Sequence, residues 1–176
     1  MVESMAKKDQ KRKDLPDLIV PLWNNRIKEQ KEYEDLYDKA NILPLFHGTR
    51  TPNFQKILSS KLMMRKPGFT VAGAMYDSVG GLYFGFSSKS INYSSVQGSY
   101  WGSGTDKSGF LFLSDVALGK QEVAKGSYPY TLEGIKPAMS VWAKGGKSGV
   151  INDEFIVFTE SQNWLRYVIE FQTQVR

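Results

Sequence analysis

Ile42-Leu43-Pro44-Leu45-Phe46-His47-Gly48-Thr49-Arg50-Thr51-Pro52-Asn53-Phe54 decides how the chain is read. The apolar run up to Phe46 predicts a buried strand that delivers His47 and Gly48 at its end. After it, Thr51 offers a cap, Pro52 suits a first helical turn, and Phe54, Ile57 and Leu58 share a face, so a short helix should follow. A glycine at position 48 lets a ligand come close to the backbone.

Upstream, Trp23, Ile27, Tyr33, Leu36, Tyr37 and Ala40 recur near helical spacing, with Asn24 as a cap after Pro21. This predicts an amphipathic helix over 23–40. Residues 1–16 lack apolar periodicity and carry Lys7, Lys8, Lys11, Arg12 and Lys13, which predicts a flexible basic arm. Downstream, a glycine-rich loop is expected over 66–81, a strand over 82–86, and a helix capped by Ser87 or Ser88 running to about Val96. A flexible connection over 100–108 leads to a strand at 110–113. After a loop-rich stretch, 154–158 predicts a strand, 159–163 a turn, and 164–171 a strand in which Leu165, Tyr167, Ile169 and Phe171 face one way while Arg166 and Glu170 face the other. Several strands with few helices predict an α+β fold with mostly antiparallel pairing. There is no internal repeat.

The totals set bounds. With 176 residues, 41% of them hydrophobic, the chain can bury one core, so one domain is expected over 17–176 after the arm. The absence of cysteine excludes disulfides, thiolate nucleophiles and sulfur-ligated zinc, and one histidine excludes a His-rich metal site. A net charge of +5 suits an acidic partner, and the arm is a candidate for weak electrostatic contact with nucleic acid. No signal-peptide order and no long apolar run is visible, so an intracellular protein without a membrane span is expected. Neither a phosphate-binding loop ending in Gly-Lys-Ser/Thr nor a dinucleotide fingerprint is present.

His47 has two readings, a structural hydrogen-bonder or a functional group. Glu154 opens the apolar run Phe155-Ile156-Val157-Phe158, and a carboxylate at the edge of a buried strand must find a partner, for structure or for chemistry. Tyr83 and Tyr93 flank a strand-to-helix unit with serines between them, which either packs the core or builds an aromatic pocket for a flat polar ring.

Four segments together resemble the catalytic domain of the poly(ADP-ribose) polymerases, over about 45–171. They are His47-Gly48-Thr49-Arg50-Thr51-Pro52-Asn53-Phe54 with Ile57-Leu58; Gly81-Leu82-Tyr83-Phe84 continuing to Ser88-Lys89-Ser90-Ile91-Asn92-Tyr93; Asp115-Val116-Ala117-Leu118-Gly119; and Asn152-Asp153-Glu154-Phe155-Ile156-Val157-Phe158. The resemblance implies an ADP-ribosyltransferase fold, two packed, mostly antiparallel sheets forming a cleft for NAD, with flanking helices. It implies transfer of ADP-ribose from NAD to a macromolecular acceptor, protein or nucleic acid, with release of nicotinamide and without a metal. His47, Tyr83 and Glu154 would be the catalytic set. His47, Gly48, Thr49, Asn53, Tyr83, Lys89, Ser90 and Tyr93 would bind the dinucleotide. In detail, His47 would hydrogen-bond the adenine-side ribose, Tyr83 and Tyr93 would sandwich the nicotinamide, and Ser90 with the Gly48 backbone would fix its carboxamide. Lys89 matches a family lysine near the glutamate.

The chain departs from the family pattern at two places. The loop Asp77-Ser78-Val79-Gly80 is longer, and Met63 stands where an arginine is usual. Two other activities fit the same fold, an NAD glycohydrolase with water as acceptor and an idle binding module. Only 46 residues precede His47, too few for the family's inhibitory helical domain, so constitutive activity is expected.

Overall fold

The computed structural model describes residues 41–64, 76, 80–96, 106–126 and 129–172. The arm over 1–16, the helix over 23–40 and most of the loop over 66–81 and the connection over 100–108 lie outside the described residues. Strand β1 (Ile42–Gly48) leads to helix α1 (Thr51–Ser59), then β2 (Leu82–Gly85) and the one-turn helix α2 (Ser87–Ser90), which tightens into a 3₁₀ turn at Ile91–Tyr93. Strands β3 (Ser108–Ala117), β4 (Gln121–Val123), β5 (Ser140–Ala143), β6 (Glu154–Val157) and β7 (Asn163–Gln172) follow.

The strands form one seven-stranded mixed sheet in the order β4-β5-β6-β2-β1-β3-β7, antiparallel except for the β4–β5 pair. Alternation explains its burial. On one face Leu45, Leu82, Phe84, Val116, Phe155 and Val157 pack together, with Ile57 of α1 against them. On the other, Val141, Ala143 and Ile156 pack with Tyr76, Tyr130, Ile135, Val150 and Phe158. Strand β6 is buried along its whole length, which is why its sequence is an unbroken apolar run after Glu154.

Several local expectations need correction. Thr51 does not cap α1: Arg50 is the N-cap, and the Thr51 N–H donates instead to Ser95 Oγ at 2.9 Å. Neither Ser87 nor Ser88 caps α2, whose N-cap is Phe86, and the helix ends at Ser90 because the chain narrows to the 3₁₀ turn before Val96, which bridges to Asp106. The strand expected at 110–113 runs over Ser108–Ala117, since long pairing with β1 and β7 carries it past its apolar centre. The turn at 159–163 is a 3₁₀ turn, Glu160–Gln162, closed by a capping box between Thr159 and Gln162. In β7 a bulge at Arg166, where Leu113 faces Tyr167 and Ser114 faces Leu165, interrupts the even alternation. Leu165 is buried while Tyr167 is 66% exposed.

Strands β1 and β3 pair along seven residues, yet β1 and β2 are in register at Phe46 and Gly85 alone. Past that point the two central strands part, at the end of β1 that carries His47 and Gly48.

Candidate active site

A row of residues crosses the sheet at the mouth of this split. Phe46 of β1 faces Gly85 of β2, Gly85 faces Glu154 of β6, and Glu154 faces Ala143 of β5. Helix α2 lies over the row. A Cβ on Gly85 would stand 3.0 Å from Lys89 Cγ and 3.3 Å from the Asp153 carbonyl oxygen, so the missing side chain leaves the path by which Lys89 reaches Glu154. The Lys89 ammonium forms a hydrogen-bonded ion pair with Glu154 Oε1. Burial works against the charge on Lys89, but the hydrogen bond and charge of Glu154, with Tyr93 adding to them, outweigh it and hold the ammonium above its ordinary pKa. Lys89 Nζ also lies 5.2 Å from the centre of the Tyr93 ring. Glu154 is 4% exposed, a buried carboxylate with a dedicated cation.

On the β1 side, Ser90 Oγ donates to the Phe46 carbonyl at 3.0 Å. Gly48 is pressed against the Ser90 backbone, where a Cβ would lie 1.8 Å from the Ser90 carbonyl oxygen. Only glycine fits there. Thr49 and Asn53 sit further out, with Asn53 Nδ2 donating to Thr49 Oγ1 at 3.1 Å at the exposed start of α1.

His47 Nδ1 lies 2.8 Å from the Tyr83 carbonyl oxygen and bridges the split between β1 and β2. A carbonyl only accepts, so Nδ1 carries the proton and Nε2 is left as an acceptor in the neutral ring. Burial pulls the His47 pKa below 6.5, and the hydrogen bond to Tyr83 offsets part of that shift. The ring meets Phe84 edge-on at 5.9 Å. Along β1, His47 shares the alternation of Leu43 and Leu45, whereas Tyr83 and Glu154 lie on the face of Ile156. The three residues expected to be catalytic thus stand on adjoining strands near the Phe46–Gly85 pair, with His47 on the opposite face of the sheet from Tyr83 and Glu154. The Tyr83 hydroxyl accepts the Tyr76 N–H at 3.0 Å.

Lys89 joins Glu154 and Tyr93, Ser90 meets Gly48, and His47 reaches the Tyr83 backbone, while Thr49 and Asn53 lie further out. Three supports were not foreseen. In the sequence Gly85 is one glycine among many, Tyr76 lies in a stretch without a period, and Asp153 is one member of the segment around Glu154. The last had a usable signal, a second carboxylate beside an apolar run with a tryptophan nearby in sequence that needs an acceptor. Among the described residues no group of three or more His, Asp and Glu side chains is arranged to hold a metal ion, and no helix is long and apolar enough to cross a membrane.

The family model for the poly(ADP-ribose) polymerase catalytic domain matches residues 1–149. The chain is 29% identical to poly(ADP-ribose) polymerase 1 of Gallus gallus over 175 residues, 82% of this chain and 16% of that protein. It is 29% identical to poly(ADP-ribose) polymerase 2-A of Oryza sativa subsp. japonica, over 87% of this chain and 26% of that one. Against poly(ADP-ribose) polymerase 2 of Homo sapiens the identity is 38% over 88 residues, 49% of this chain and 13% of the relative. The chain therefore spans about a quarter or less of the length of these relatives. Glu154 lies beyond the end of the family match, and its place in the site rests on the sheet register and on Lys89.

Proposed function

This chain belongs to the poly(ADP-ribose) polymerase catalytic-domain family, and we propose that it transfers ADP-ribose from NAD to a macromolecular acceptor, protein or nucleic acid, releasing nicotinamide. The observation that carries the reading is the buried Glu154 carboxylate, held by Lys89 across Gly85, two residues along β2 from Tyr83.

The residues present fit the dinucleotide. Neutral His47 offers Nε2 as an acceptor for a ribose hydroxyl, Tyr83 and Tyr93 offer aromatic faces, and the Gly48 backbone with the Ser90 hydroxyl offers partners for a carboxamide. When bound, NAD supplies a ribose carbon whose bond to nicotinamide breaks with the electron pair leaving on the ring nitrogen, so positive charge develops on the sugar. Glu154 stabilises that charge through a carboxylate fixed before the reaction begins. It also orients the acceptor nucleophile, whose lone pair forms the new bond at the same carbon and whose proton passes to the Glu154 carboxylate. Lys89 keeps the carboxylate in place and matches its charge until the substrate is bound. The single point of register between β1 and β2 supports treating the sheet as two leaves, β4-β5-β6-β2 and β1-β3-β7, that open around the dinucleotide.

The test is incubation with labelled NAD, with and without added protein or nucleic acid, followed by a denaturing gel. A labelled ladder or a single shifted band supports transfer, while free ADP-ribose alone means that water is the acceptor. Glu154→Gln should lower turnover at least roughly a hundredfold and leave NAD affinity nearly intact, because the charge acts in the transition state. Turnover in the variant comparable to the unsubstituted chain would remove Glu154 from the mechanism.

A further inference from the structure

Tyr83 and Glu154 enter the site from different strands, and hydrogen bonds run from each of them, or from its neighbour, to one turn. The Tyr83 hydroxyl takes the backbone N–H of Tyr76. Tyr76 is fully buried, its carbonyl accepts the Tyr130 N–H at 3.0 Å, and its own hydroxyl donates to the Ser148 carbonyl. Ser148 belongs to a tight turn over residues 144–150. There the Ser148 N–H donates to the Lys144 carbonyl at 2.9 Å, the Lys144 N–H donates to Ser148 Oγ at 3.1 Å, and Gly146 N–H donates to the Val150 carbonyl at 2.7 Å. Ser148 Oγ donates in turn to the Ala124 carbonyl at 2.6 Å, which pins the turn to the body of the domain.

The other end of the same turn holds Asp153, the residue before Glu154. Asp153 Oδ1 accepts the Gly145 N–H at 2.7 Å and Oδ2 accepts the Trp142 indole N–H at 3.1 Å. Gly145 has no room for a side chain, since a Cβ would stand 2.7 Å from the Ile151 carbonyl oxygen and 3.1 Å from Asp153 Oδ1. Using both carboxylate oxygens fixes Asp153 in direction as well as in place, and so fixes the angle at which the chain enters β6 and projects Glu154.

We propose that the turn over residues 144–150 sets Tyr83 and Glu154 relative to one another, with Tyr76 and Asp153 as the positioning residues on its two sides. The inference rests on the transferase reading of this site. Its consequence is that substitutions which touch no substrate disturb the reaction through geometry, where a displacement of about 1 Å costs up to roughly a hundredfold in rate.

The experiment compares the full chain with Asp153→Asn, Trp142→Phe, the Asp153→Asn/Trp142→Phe pair and Tyr76→Phe, measuring NAD turnover, binding of benzamide as a nicotinamide mimic, and the folded fraction. Asp153→Asn turns an amide N–H₂ against one of two N–H donors, so kcat should fall about tenfold or more, with KM for NAD changing less than about threefold. Removing the indole donor with Trp142→Phe frees one side for that amide, so the double variant should regain kcat over Asp153→Asn alone. A purely structural role predicts the opposite order, because the double variant loses more packing. Tyr76→Phe should weaken benzamide about threefold or more by releasing the turn from the segment that holds the Tyr83 hydroxyl. Crystal structures of Asp153→Asn and Tyr76→Phe give a readout independent of turnover, with Glu154 and the Tyr83 ring respectively displaced. An Asp153→Asn variant with unchanged kcat, no recovery in the pair, or unmoved Glu154 and Tyr83 overturns the proposal. If the unsubstituted chain turns over no NAD, the transferase reading falls, and the positioning claim is decided by benzamide binding and the two structures.

Discussion

Lys89 reaches Glu154 by lying across Gly85, the residue of β2 that faces Glu154 in the sheet. The two charged side chains are 14% and 5% exposed, so each has given up most of its water for the other. Removing one partner strands the second. Lys89→Met should therefore cost about 3–5 kcal/mol of stability in urea denaturation, and Lys89→Met/Glu154→Met should recover most of that loss. A Lys89→Met chain as stable as the parent would mean that the pair is solvated in solution.

Gly48 carries the closest approach in the site. A methyl group there would sit 1.8 Å from a backbone oxygen, which no side-chain rotation relieves. Gly48→Ala must push α2 away from β1, break the bond from Ser90 Oγ to the Phe46 carbonyl, and displace Lys89 with the helix. We expect a stability loss of about 1–3 kcal/mol and loss of benzamide binding, checked by thermal unfolding and calorimetry. Wild-type binding in this variant would show that the Gly48–Ser90 contact is not kept in solution.

How far the sequence carried this reading depended on the range of the forces involved. The strand at Ile42–Gly48 and the run after Glu154 were legible because alternation and unbroken apolar runs are local consequences of burial. The length of β3 was not, since its ends are held by pairing with β1 and β7, which no window around Phe110 contains. The capping role expected of Thr51 is overridden for the same reason: its N–H donates to Ser95 Oγ, 44 residues away. In the site, His47 and Glu154 are visible as polar groups at the ends of apolar runs, whereas Tyr83 looks like a core residue and joins them only through the family resemblance. Tyr76 and Gly85 are not visible, because what makes them matter is a hydrogen bond to a distant turn and an empty space beneath a lysine.

Ser114 gives a prediction of the opposite sign. Its hydroxyl is fully buried at the β7 bulge and has no hydrogen-bond partner among the described residues, so the folded state pays for desolvating it without return. Ser114→Ala removes that cost. The unfolding free energy should stay level or rise by up to about 1 kcal/mol. A drop of more than about 1 kcal/mol would reveal a buried water serving the hydroxyl.

His47 should make stability depend on pH in one direction only. Its folded pKa lies below 6.5, the result of burial partly offset by the bond to the Tyr83 carbonyl, while the unfolded chain titrates near 6.5. Well above 6.5, by about a pH unit or more, the imidazole is neutral in both states and the full contribution is present. As pH falls below 6.5, the unfolded chain takes up a proton that the folded one refuses, so stability is lost until pH drops through the lowered folded value. The slope in that window approaches about 1.4 kcal/mol per pH unit. In His47→Asn, the side-chain N–H₂ can still donate to the Tyr83 carbonyl but nothing at that position titrates. Urea denaturation of both chains at pH 8.5, 7.5 and 5 should show their difference in stability constant between the first two and shifting toward the variant at the last. Parallel curves across all three would mean that the ring is solvated and that the split between β1 and β2 is open to water at His47.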